Sequence, residues 1–102
     1  MRIEETSSET IIHCGSEVDL SSVVGQKEIF LQALQIKKTI CLEASEISKI
    51  DVAGIQLFLN FILAASKINI AYYWKNPASQ IMELSELLGV TDVFAFKRTG
   101  SD

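Results

Sequence analysis

Positive charge is scarce in this sequence: nine Lys and Arg stand against thirteen Asp and Glu, for a net charge of −4 over 102 residues. Adjacent cations occur at Lys37-Lys38 and Lys97-Arg98, both at expected element ends. A phosphate backbone needs clustered cations, so nucleic acid is excluded as the main partner. Long apolar runs are also missing. Residues 55–65 form the longest, broken by Gln56 and Asn60, well short of the ~20 residues that a membrane span requires. Met1-Arg2-Ile3-Glu4-Glu5 is charged and lacks the apolar stretch of a secretory leader, so a cytoplasmic location is expected. Cysteine is limited to Cys14 and Cys41, and histidine to His13. Three such residues at this spacing do not make a tetrahedral zinc site, and both cysteines are expected to be buried free thiols. The glycines at 15, 25, 54, 89 and 100 are isolated, which excludes a glycine-rich phosphate loop. Asp19, Asp51 and Asp92 have no acid/base or metal partners by spacing. Neither Ser45 nor Ser48 belongs to a Ser/His/Asp arrangement, and His13 has no neighbour in sequence to act with. The chain therefore reads as a non-enzymatic binding module with no cofactor.

What is present is apolar material for one core, 48% of the chain. Residues 1–9 are polar, either a leading segment or an edge strand around Ile3. Residues 10–96 form the domain, and 97–102 a polar tail. Thr10-Ile11-Ile12-His13-Cys14 is β-branched and ends at Gly15, so it reads as a strand with His13 and Cys14 on opposite faces. Asp19-Leu20-Ser21-Ser22 signals a helix start. Val23, Phe30 and Leu34, with Val24 and Leu31 beside them, are expected to form its apolar face, and Gln26, Lys27 and Glu28 its wet one. Thr39-Ile40-Cys41-Leu42 reads as a strand buried on both sides. Ile68 to Trp74 reads as another, followed by a helix capped by Asn76 with Pro77 at its first position and stopped at Gly89. Val90, Val93, Phe94 and Phe96 suggest a last short strand. Strands separated by helices cannot be simple hairpins, so the class is α/β with a mainly parallel sheet.

The most apolar helix begins at Lys49-Ile50-Asp51-Val52-Ala53-Gly54-Ile55-Gln56-Leu57 and runs to about Ser66. Asp51 is placed to cap it. Gly54 costs about 1 kcal/mol against Ala inside a helix, so close backbone approach is the expected reason for it. Gln56, Asn60 and Lys67 fall on one narrow polar stripe at 100° per residue, flanked by Val52, Ala53, Leu59 and Leu63. So narrow a polar face means either a covered helix or apolar flanks that await a partner.

Three segments resemble the STAS domain family, the fold of bacterial anti-sigma-factor antagonists. Gly15-Ser16-Glu17-Val18-Asp19 is similar to the family's G-E-L-D turn, with one extra residue. Asp51-Val52-Ala53-Gly54-Ile55 is similar to its D-S-[SA]-G-L helix start. Tyr72 to Phe94, with Leu88-Gly89-Val90-Thr91-Asp92-Val93-Phe94, is similar to its late strand, helix and terminal segment. The resemblance implies a STAS-like fold with a four- to five-stranded, mainly parallel sheet and about three to four covering helices. It implies a protein partner, an anti-sigma-factor or kinase-like regulator, bound at the helix start. The partner-binding set is then Asp19, Asp51, Val52, Ala53, Gly54, Gln56, Leu59, Asn60 and Leu63. The family carries a phosphorylatable hydroxyl at the position of Val52, which has none, so this chain is expected to bind without that switch. Family members also look like the cytoplasmic accessory subunit of a lipid-transporting ABC system, docked on its ATPase, like domains beside chemotaxis-type signalling components, and like nucleotide or lipid binders.

Overall fold

The structure of the protein, a computed structural model, describes residues 1–96; the expected tail at 97–102 lies outside the described residues. The N-terminus folds back on itself as a hairpin. Strand β1 (Arg2–Glu5) pairs antiparallel with β2 (Glu9–His13), setting Ile3 opposite Ile12. Thr6 holds the connecting turn, its Oγ1 accepting from the N–H groups of Ser8 and Glu9 at 3.3 and 3.0 Å. After a two-residue strand β3 (Glu17–Val18) come helix α1 (Val23–Ile36), strand β4 (Thr39–Glu43), a second two-residue strand β5 (Lys49–Ile50), and helix α2 (Val52–Lys67). Strand β6 (Tyr72–Lys75), helix α3 (Ser79–Leu87) and the short helix α4 (Thr91–Phe94) complete the described chain.

The main sheet has the order β1-β2-β4-β6, parallel except for β1. β3 and β5 form a separate parallel pair. Central β4 is buried on both faces through Ile40, Cys41 and Leu42, as its unbroken apolar run predicts. On one face Ile12, Ile40, Leu42 and Trp74 meet Phe30 and Ala33 of α1 and the inner side of α2 in one core. Phe58 sits at its middle, with ring centroids 5.6 Å from Phe30, 5.2 Å from Trp74 and 6.4 Å from Phe94. On the opposite face polar side chains of the sheet bond to one another. His13 Nε2 lies 2.7 Å from Glu4 Oε1, and the Tyr73 hydroxyl lies 2.9 Å from both carboxylate oxygens of Glu9. Cys14 and Cys41 are buried free thiols. Burial, helped by the negative charge of Glu43, pushes the Cys14 thiol up to about 12, and burial raises Cys41 as well.

Four expectations are corrected. The last strand is helix α4, whose end is held by side chains: the Tyr72 hydroxyl donates to Val93 O and Phe94 O at 3.1 and 3.0 Å, and Trp74 Nε1 donates to Phe94 O at 2.7 Å. Those donors satisfy carbonyls that a helix end leaves free. The strand expected from Ile68 begins at Tyr72 instead. Ile68 to Ile70 form the turn that ends α2, with Asn69 in the left-handed region at φ 59° and Ile70 N–H donating to Ala65 O. Asn76 has φ 49° and closes β6 rather than capping α3, whose N-cap is Ala78. In α1, Gln26 is buried, while Val24 is 82% and Leu31 44% exposed. Gln26 can be buried because its Nε2 donates to Glu17 O at 2.8 Å and its Oε1 accepts from Ser22 Oγ at 3.0 Å.

Candidate docking surface

The start of α2 is fastened from three directions. Asp51 is the extended residue before the helix. Its Oδ1 accepts from Gly54 N–H at 3.0 Å, the cap expected of an aspartate there. Its Oδ2 accepts from the N–H of Leu20, also at 3.0 Å, which ties the loop before α1 to the same helix end. Gly54 then explains itself. A Cβ at that position would lie 2.0 Å from Val18 O and 2.9 Å from Ile50 Cγ1, so the backbone of β3 rests directly on the first turn of α2.

Asp19 supplies the third tie. It is 5% exposed; its Oδ1 accepts from the Ser21 hydroxyl at 2.6 Å and from Ser21 N–H at 3.1 Å, and Lys49 Nζ lies 3.5 Å from its Oδ2. The Ser21 hydrogen bond and, against desolvation, the Lys49 charge hold the Asp19 carboxyl below its usual range. Asp19 and Asp51 thus work as a pair of staples: one joins the β3–α1 loop to β5, the other joins it to α2.

Above these staples lies an exposed helix face. Val52 is 61% and Leu63 52% exposed, Ala53 and Leu59 are half-buried, and Gln56 and Asn60 are exposed. Gln56 Nε2 donates to Asn60 Oδ1 at 3.1 Å, which keeps the amides bonded along the helix. Asp51, Val52, Ala53, Gln56, Leu59, Asn60 and Leu63 therefore share one side of the molecule. Asp19 and Gly54 belong to the same corner but are buried and act beneath it.

Two further residues extend this surface: Leu20, 74% exposed, and Val24, one turn later and 82% exposed. Val24 was read in sequence as part of a core face and Leu20 as part of a helix-start signal; the hydrogen bond from Leu20 N–H to Asp51, 31 residues away in sequence, is what brings this loop to α2. Next to the helix start a shallow depression of about 460 Å³ lies between Ile50 and α3, lined by Ser48, Glu83, Leu84 and Leu87 among others. A larger open groove of about 980 Å³ lies at the far end of α2, bounded by Ile62, Ser66, Tyr72, Glu86, Val93 and Phe96 among others.

Among the described residues no group of His, Cys, Asp and Glu is placed to hold a metal ion. No helix of the described residues is long and apolar enough to cross a membrane. What the corner offers is a helix start tied to the neighbouring loop and strand, from which Val52, Ala53, Gln56 and Leu59 reach solvent.

Comparison with curated proteins gives no match. Among solved structures, the anti-sigma factor antagonist SpoIIAA in its unphosphorylated form is similar, with a TM-score of 0.68 and 19% identity over 83% of this chain and 80% of that one. A Thermotoga maritima protein described as an anti-sigma factor antagonist has a TM-score of 0.67 and 15% identity over 87% of this chain and 80% of its own. At these identities the likeness is one of fold. The STAS domain model matches residues 1–102. With that match across the whole sequence and the fold shared with both structures, the chain belongs to the STAS domain family.

Proposed function

We propose that this protein is a non-enzymatic regulatory module that binds a protein partner through the start and outer face of α2, in the manner of an anti-sigma-factor antagonist. One observation carries the reading: Val52, 61% exposed, stands on the first turn of a helix whose cap, loop and backbone are all held by other parts of the fold. An exposed apolar side chain on a rigid mount costs little ordering entropy when it docks. Ala53, Gln56, Leu59, Asn60 and Leu63 continue the contact, Leu20 and Val24 flank it, and Asp19, Asp51 and Gly54 position it. The partner is a regulator of the anti-sigma-factor or kinase class. Val52 has no hydroxyl, so no phosphoryl group can be carried at this position, and contact there is not relieved by phosphorylation.

The test is co-purification of the tagged protein from its native cell, with bound proteins identified by mass spectrometry. Wild type is expected to retain a regulator. Val52→Asp, which places a charge at the centre of the contact, is expected to lose it while melting at the same temperature. Equal recovery with the folded variant contradicts the reading.

A further inference from the structure

The larger groove, at the far end of α2, has apolar walls and two acids beside them. Ile62, Ile70, Met82 and the rings of Tyr72 and Phe96 line it, with Met82 42% exposed. Glu86 of α3 and Asp92 of α4 line it as well. Both are exposed, and neither has an ion-pair partner among the described residues. Phe96 fixes the point from which the chain continues. Its ring lies 4.8 Å from that of Trp74 and 5.5 Å from that of Phe94, so the last described residue is itself held in the groove wall. The next two residues are Lys97 and Arg98, adjacent cations in a chain of net charge −4.

We infer that residues 97–102 fold back over this groove as a strap, with the stems of Lys97 and Arg98 on its apolar walls and their charged heads at Asp92 and Glu86. The side chains suit the surface. Long basic residues lay methylene stems along apolar surface while the head stays wet, and a guanidinium also packs on aromatic rings. Reach suits it too, since six residues extend up to ~20 Å. A single exposed ion pair contributes little. Here the pairs are tethered one and two residues from the wall, and so short a tether gives an effective concentration in the millimolar range or above. A second copy or a segment of another protein meets the groove without that advantage, so the chain's own continuation is the occupant.

The strap ties α4 to α3 and closes the groove, so anything that enters there must first displace it. This contact lies at the opposite end of α2 from Val52. It stands or falls separately from the regulator.

Nuclear magnetic resonance of the full chain, without a partner, tests it. Backbone order parameters at Lys97 and Arg98 are expected near the rigid value of about 0.85. Nuclear Overhauser effects are expected between the Arg98 side chain and the Met82 methyl. Reversing both tail charges, Lys97→Glu with Arg98→Glu, is expected to abolish those effects and drop the order parameters below about 0.6, with an unchanged circular dichroism spectrum. Glu86→Lys combined with Arg98→Glu is expected to restore the contact that Arg98→Glu alone loses. Order parameters below about 0.6 in the wild type, with no contact to Met82, overturn the strap. A contact indifferent to charge reversal overturns it as well. So do contacts seen only between differently labelled chains in a mixed sample, which place a second copy's tail in the groove. Each of these results leaves the regulator reading at Val52 intact.

Discussion

Both sides of α2 carry apolar side chains, the inner side throughout and the outer side among amides, yet only the inner ones are accounted for by folding. The inner side places Ile55, Phe58, Ile62 and Ala65 against the sheet and α1, each 5% exposed or less. The outer side places Val52 and Leu63 in water at 61% and 52% exposure, among amides. Burial stabilises the first set by about 25 cal/mol per Å² of apolar area. It does nothing comparable for the second, and a helix that needed only to fold could carry Lys and Glu there. The contrast separates what holds the fold from what the fold presents, and it can be probed one residue at a time.

The largest effect is expected on the inner side. Phe58→Ala removes the ring that touches Phe30, Trp74 and Phe94, and is expected to cost about 3–5 kcal/mol in urea unfolding. Next comes the junction between the two sides. Gly54→Ala, a change that ordinarily favours a helix by about 1 kcal/mol, is expected to destabilise by about 3 kcal/mol, because its Cβ meets Val18 O. A melting temperature raised by this substitution contradicts the close approach of β3 to α2.

Asp51→Ala loses the bonds to Gly54 and Leu20 and is expected to cost about 1–2 kcal/mol in the same assay. Amide exchange is expected to rise in the first turn of α2 and at Leu20 together. Exchange that rises in the helix alone denies the staple between the two segments.

The smallest effect is one of pH. The Asp19 carboxyl is held below its ordinary value, so the unfolded chain takes up that proton first as pH falls. Its contribution to stability is complete above the unfolded value of about 3.9 and is lost as pH drops through the lower folded value. Titration of the Asp19 carboxyl carbon by NMR is expected to show a midpoint below that of a free aspartate. Lys49→Met, which removes the neighbouring charge, is expected to move the midpoint upward.

Much of this was legible in sequence because it is local. The unbroken run Ile40-Cys41-Leu42, the cap at Asp51 and the misplaced glycine at 54 each announce themselves within a few residues. The polar stripe of Gln56, Asn60 and Lys67 follows from helical periodicity alone. The pairing of β3 with β5 was not legible, since two-residue strands show no alternation and join residues that lie far apart in the chain, Glu17 with Lys49 and Val18 with Ile50. Gln26 was misread as wet because its satisfaction depends on Glu17 O, a backbone group that no side-chain pattern reveals. The terminal Val90 to Phe96 stretch was misread for a similar reason. Its β-branched and aromatic residues suit a strand, but Tyr72 and Trp74 supply the donors that let it end as a helical turn. His13 has the neighbour in space that it lacked in sequence, Glu4 across the hairpin, and the contact joins β1 to β2.

The central claim is that the outer face of α2 exists to be covered by another protein. Amide hydrogen exchange, measured at low micromolar concentration with and without the regulator recovered by co-purification, tests it most directly. New protection is expected over residues 51–63 and around Leu20 and Val24, with none along Tyr72–Lys75. Protection confined to the sheet, with α2 unchanged, would contradict it.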